Sequence, residues 1–78
     1  MTDKQLLTFI SDNEILDKEV LNFSSTLSLE ENGLDSFDIM MITFELQEEY
    51  DVDLSNITKT DSINDILAII NAKESLEG

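Results

Sequence analysis

Seventy-eight residues allow one domain with one small core, and a chain without cysteine has no disulfide to support it. Eighteen acids against four bases leave a net charge of −14, which argues against nucleic-acid binding through phosphate contacts and against anionic membrane surfaces. Histidine is absent too, so the usual zinc ligands and the base of a Ser-His-Asp triad are missing.

Residues 3–13 read as a first helix. Leu6, Leu7 and Ile10 recur at helical spacing with Phe9 beside them, and Thr2 or Asp3 suits the N-cap. Residues 14–35 read as a long connection with apolar anchors at Ile15, Leu16, Val20, Leu21, Phe23, Leu27 and Leu29. A connection of that length in a small domain is often functional, and the anchors predict that it packs across the helices. Asn32-Gly33 lacks the alternating flanks of a hairpin and reads as the turn that ends this segment.

Residues 36–50 carry the strongest helical pattern, with no glycine or proline. Asp35 suits its N-cap, and Asp38 places a negative charge in the first turn, against the positive end of the helix. Ile39, Ile42, Leu46 and Tyr50, with Thr43 on the edge, form the stripe expected to face the core. Phe37, Met40, Met41 and Phe44 form a second apolar group nearer the face of Ser36, and Glu45, Glu48 and Glu49 fill the remainder. The helix is therefore either sandwiched between others or presents part of the second group to a ligand or partner.

Residues 51–62 are polar apart from Val52, Leu54 and Ile57, with room for one short helical turn. Residues 63–73 read as the last helix, with Ile63, Ile66, Leu67 and Ile70 at i, i+3, i+4, i+7 and Asp61 or Ser62 as cap. The tail after Lys73 is expected to fray. The apolar fraction of 41%, set at helical spacing, outweighs the charge signature of disorder. No apolar run approaches the roughly 20 residues of a membrane span. Met1-Thr2-Asp3-Lys4 also lacks the basic start of a signal peptide, so the cytoplasm is the expected location.

Ser36 stands between Asp35 and Asp38, just after Gly33 and at the head of the strongest helix. No base in the sequence neighbourhood activates it, so an autonomous hydrolase ranks last. The second glycine of a Gly-x-Ser-x-Gly elbow is missing, and no phosphate-cradling glycine loop with a lysine exists. An EF-hand counted from Asp51 places Asp53 and Ser55 well, but has Asn56 at position six and Ser62 at position twelve. Ser36 is thus an ordinary helix-start serine or a residue modified by another enzyme. The lysines are Lys4, Lys18, Lys59 and Lys73, so residues 19–58 contain no base. Solubility accounts for such a stretch, and so does electrostatic docking to basic enzymes.

The run Gly33-Leu34-Asp35-Ser36-Phe37-Asp38 resembles the Gly-x-Asp-Ser-Leu/Met signature of acyl carrier proteins and related carrier domains. The similarity extends to the length, the acidic balance, the long connection before the serine, the final amphipathic helix, and the serine-led helix ending in Glu48-Glu49-Tyr50-Asp51. It implies an all-α bundle of three to four helices, with a long loop between the first and second, as a single carrier domain over residues 1–78. It implies that Ser36 receives 4′-phosphopantetheine from coenzyme A, through a separate phosphopantetheinyl transferase that uses magnesium. The thiol of that arm would carry acyl groups as thioesters. Asp35 matches the motif aspartate that assists near the magnesium. Phe37, Asp38, Met40, Phe44 and Glu48 fall where the family meets its partners, with Glu45 and Glu49 close by. The implied partners are acyl-loading, condensing and modifying enzymes with basic patches, and the chain itself would be a monomer and not an enzyme.

Departures from the pattern are also visible. Met41 stands where many fatty-acid carriers have an acid, Phe37 is bulkier than the usual leucine or methionine, and Ser55 replaces a frequent proline. The segment from Asp51 to Ile63 is short for an extra helix. Fatty-acid, specialised-lipid, polyketide and aminoacyl or peptidyl pathways therefore stay open. So do a carrier-like interaction module that is never loaded and an acidic inhibitor acting by charge alone. Ile42, Leu46, Ile57 and Ile66 would be the walls of an acyl chamber, or ordinary core.

Overall fold

Each helix of this chain begins where a polar side chain three residues ahead of another can exchange hydrogen bonds with it. The computed structural model describes the backbone of residues 1–77 and the side chains of residues 1–74. In it α1 spans Asp3–Asp12, α2 Ser36–Tyr50 and α3 Ile63–Glu77. Thr2 opens α1: its hydroxyl accepts the Gln5 N–H at 3.2 Å, and the Gln5 side chain accepts the Thr2 N–H at 2.9 Å. Asp35 opens α2 in the same way, accepting the Asp38 N–H at 2.9 Å while the Asp38 carboxylate accepts the Asp35 N–H at 3.3 Å. Ser62 opens α3, with its N–H donated to Asp65 at 2.8 Å and its Oγ accepting the Asp65 N–H at 3.3 Å. These pairs satisfy amides that have no partner inside the helix.

The protein is all-α, with no strand among the described residues beyond an isolated bridge between Ser28 and Ser62. Residues 51–62 form hydrogen-bonded turns rather than a helical turn. The Ile57 N–H reaches the Leu54 carbonyl at 3.0 Å, and Gln47 Oε1 holds the Leu54 N–H at 2.8 Å. α3 continues past Lys73, where the sequence predicts an end, because nothing breaks the helix before Gly78 and two charge contacts hold its last turns. Lys73 lies 3.8 Å from Asp51, and Glu74 lies 3.6 Å from the Met1 ammonium. Gly78 is outside the described residues.

The core takes Leu6, Leu7 and Ile10 from α1, Ile39, Ile42 and Leu46 from α2, and Ile63, Ile66, Leu67 and Ile70 from α3. Six further buried side chains, Ile15, Leu16, Val20, Leu29, Leu34 and Leu54, come from outside the helices. Residues 13–35 therefore lie on the helices as the anchors predict. They are also sewn to the segment before α3: Leu29 N–H donates to Asp61 O at 2.7 Å and Glu30 N–H to Lys59 O at 3.0 Å. Two expected anchors fail. Leu21 and Leu27 are 54% and 44% exposed, while Val20 and Leu29 close by are buried. The rings of Phe9 and Tyr50 meet edge-on with centroids 5.6 Å apart, joining α1 to the end of α2. No helix among the described residues is long and apolar enough to cross a membrane.

Leu46 has no exposed surface, so Leu46→Ala is expected to cost about 2–5 kcal/mol. That is a large part of the roughly 4–12 kcal/mol available to a domain of this size. A urea midpoint unchanged from wild type would remove Leu46 from the core, and Leu21→Ala should stay within about 0.5 kcal/mol.

Candidate functional site at the head of α2

The approach to Ser36 is set by two neighbours. Gly33 has φ +94°, a conformation that a side chain resists, and its N–H turns back to the Glu30 carbonyl at 2.9 Å. Leu34 then sinks into the core at 3% exposure, so the chain enters α2 with one residue held inward and Asp35, Ser36 and Phe37 left outside. Ser36 is the first helical residue and is exposed, and Asp35 is the cap. Asp35 spends one carboxylate oxygen, Oδ1, on the Asp38 amide.

Sequence distance hides the next feature. Lys18 Nζ donates to the Gly33 carbonyl at 3.0 Å and to the Asp38 carboxylate. This clasp binds the loop to the first turn of α2, two residues on from Ser36. The hydrogen bond to Asp38 raises the pKa of Lys18 above its ordinary value, and the same bond lowers Asp38 below the usual carboxylate range. The Asp38 side chain is only 13% exposed. It faces its cap and Lys18 rather than standing free for a partner.

Ser36, Ile39, Met40 and Thr43 follow one another at i, i+3, i+4, i+7 and form one wall of an open groove of about 370 Å³. Leu54, Ser55, Ile57, Thr58 and Lys59 form the other. Of the four side chains expected to wall an acyl chamber, Ile57 alone lines this groove. Ile42, Leu46 and Ile66 are fully buried, as members of the apolar cluster that all three helices and their connections build. A second groove of about 400 Å³ lies by Asp51, Val52, Ile69 and Lys73, at the other end of α2.

The second apolar group of α2 divides. Met41 packs against the core, while Phe37, Met40 and Phe44 are 62%, 58% and 55% exposed, with Glu45, Glu48 and Glu49 exposed around them. The helix is thus not sandwiched on that side. Among the described residues no cluster of acids is placed to hold a metal ion. Sequence reasoning named Ser36, Asp35, Asp38 and the exposed stripe, and missed Lys18 and Lys59. The signal available for both was their position as the last base before and the first base after the base-free stretch. Comparison of the chain with protein-family models, with curated proteins and with solved structures found no match.

Folding lowers the Asp38 pKa, so its share of the clasp is full above the ordinary carboxylate range and is lost as pH falls through the lowered value. Folding raises the Lys18 pKa, so that share is full below the ordinary lysine value and is lost as pH rises through the raised one. Lys18→Met is therefore expected to lower the melting temperature at pH 7 in low salt, with the gap to wild type closing as pH falls below about 4. Identical melting curves at pH 7 would show that the clasp contributes nothing.

Proposed function

We propose that this chain is a free-standing carrier, loaded on Ser36 with 4′-phosphopantetheine and serving acyl transfer in fatty-acid, specialised-lipid or polyketide synthesis. The observation that carries the reading is the placement of Ser36. Its exposed hydroxyl opens a capped helix at the rim of a half-apolar groove, in a chain without histidine or cysteine. Such a hydroxyl has no chemistry of its own and is well placed to receive a group from another enzyme. The three helices, with the anchored connection of residues 13–35 before the serine, fit the carrier arrangement.

In the loading step the Ser36 Oγ forms a bond to the phosphorus nearest the pantetheine in coenzyme A. The pyrophosphate P–O bond breaks, the adenosine bisphosphate leaves with the electron pair, and the serine proton passes to a base of the phosphopantetheinyl transferase. The residues at the site suit the product. The first amides of α2 and the helix dipole favour a phosphodiester at that position. Lys18 neutralises Asp38, so an incoming phosphate does not meet two bare carboxylates. Asp35 keeps one oxygen outside its cap for the magnesium ion of the transferase. The arm supplies the thiol that holds the cargo as a thioester, and the protein supplies no competing thiol.

Partner enzymes with basic patches would meet Phe37, Met40 and Phe44 with Glu48, Glu45 and Glu49 around them. Asp38 acts from behind its lysine. The protein would work as a cytoplasmic monomer and not as an enzyme. An aminoacyl or peptidyl cargo uses the same site. The exposed Phe37–Met40–Phe44 stripe also supports a second reading, an interaction module of the same fold that is never loaded.

Incubation with coenzyme A, magnesium and a phosphopantetheinyl transferase is expected to raise the intact mass by one phosphopantetheinyl group, and Ser36→Ala should abolish the gain. No gain with several transferases, together with partner binding that survives Ser36→Ala, would favour the unloaded module.

A further inference from the structure

The groove beside Ser36 is not built for a plain hydrocarbon chain. Five of its nine lining residues are polar, and three of the four apolar candidates for a deeper chamber, Ile42, Leu46 and Ile66, are packed into the core. Its hydroxyls are mostly committed. Thr43 donates to the Met40 carbonyl at 3.1 Å, Ser55 to Asp53 at 2.6 Å, and Thr58 lies 2.9 Å from the Thr60 hydroxyl and 3.3 Å from Asp61. Two polar groups are left: Ser36 itself, and the Lys59 ammonium. Among the described residues Lys59 makes no hydrogen bond through its ammonium, and the Glu30 carboxylate 3.9 Å away is beyond hydrogen-bond length, with both side chains largely exposed. By contrast, Lys18 is clasped to Gly33 and Asp38, and Lys73 sits by Asp51 in the other groove. The groove therefore runs from the modified hydroxyl, over Ile39, Met40, Leu54 and Ile57, to a loosely held cation.

We propose that this groove receives a short tethered acyl group that ends in a carboxylate, with Lys59 as its counter-ion. The inference rests on the carrier reading of Ser36 and adds the class of cargo. The apolar middle takes the methylenes of the chain, and the ammonium takes the far end. A chain of net charge −14 repels a carboxylate over most of its surface. The end of the cargo is therefore steered to Lys59, the one cation that lines this groove among the described residues. A bare alkyl chain of the same length leaves the Lys59 end of the groove unused.

The test compares hexanoyl and adipoyl cargo, which match in length and differ in the terminal carboxylate. Each is loaded from its acyl-coenzyme A by a phosphopantetheinyl transferase, and intact mass is recorded first. The adipoyl form is expected to shift the amide resonances of Thr58 and Lys59 more than the hexanoyl form. Its terminal carboxylate, followed by carbon NMR, should titrate at least about half a pH unit lower in wild type than in Lys59→Met, as a cation a few ångströms away requires. Lys4→Met, an equal charge change on α1, should leave the titration near wild type. Loading with equal amide shifts for the two cargoes, or a midpoint raised as much by Lys4→Met as by Lys59→Met, overturns the cargo assignment while the carrier reading stands. No mass gain at all overturns both.

Discussion

Burial of a small apolar core holds this molecule together, and the core is not the helices' alone. More than a third of its buried apolar side chains belong to the connecting segments. Leu29 and Leu34, before α2 in the chain, and Leu54, after it, anchor the loop that leads to Ser36 and the turn that lines its groove. The exposed hydroxyl is therefore positioned by what lies underneath it. In a chain this short each such anchor is sizeable against the small net stability.

Charge works against that core. Residues 19–58 contain no base, and mutual repulsion along them opposes the compact state. The fold answers locally. The two lysines that bound this stretch both return to the head of α2, Lys18 to Asp38 and Lys59 to the groove. The result is an uneven field, partly neutral around Ser36 and strongly negative further along α2 at Glu45, Glu48 and Glu49. Such a gradient would suit the proposed carrier role, with a phosphate at one point and basic partners at another.

Much of this was legible in the sequence. Periodicity located all three helices, and α2 matches from Ser36 to Tyr50, because its start is written in Asp35 and Asp38 and its end in the polar run after Tyr50. The serine and its aspartate stood out for the same local reasons. What escaped was set by tertiary distance. The Lys18 clasp spans twenty positions to Asp38, and no local rule pairs them. The groove needed Thr43, which the pattern placed only on an edge, to face Ile57 and Lys59 across a turn that the sequence left open as a helix. Leu21 and Leu27 look like anchors to any hydropathy rule, and only the packed turns decide which of two neighbours goes inward.

The contact between Phe9 and Tyr50 has a consequence of its own. Tyr50 is the chain's one tyrosine, and there is no tryptophan. Burial, with Glu49 and Glu74 nearby, raises its pKa and keeps the phenol protonated. Tyrosine emission from this protein therefore originates at a single point, where α1 meets the end of α2, at the opposite end of that helix from Ser36. The molecule carries its own optical probe of the helix junction, set apart from the site where an arm would be attached.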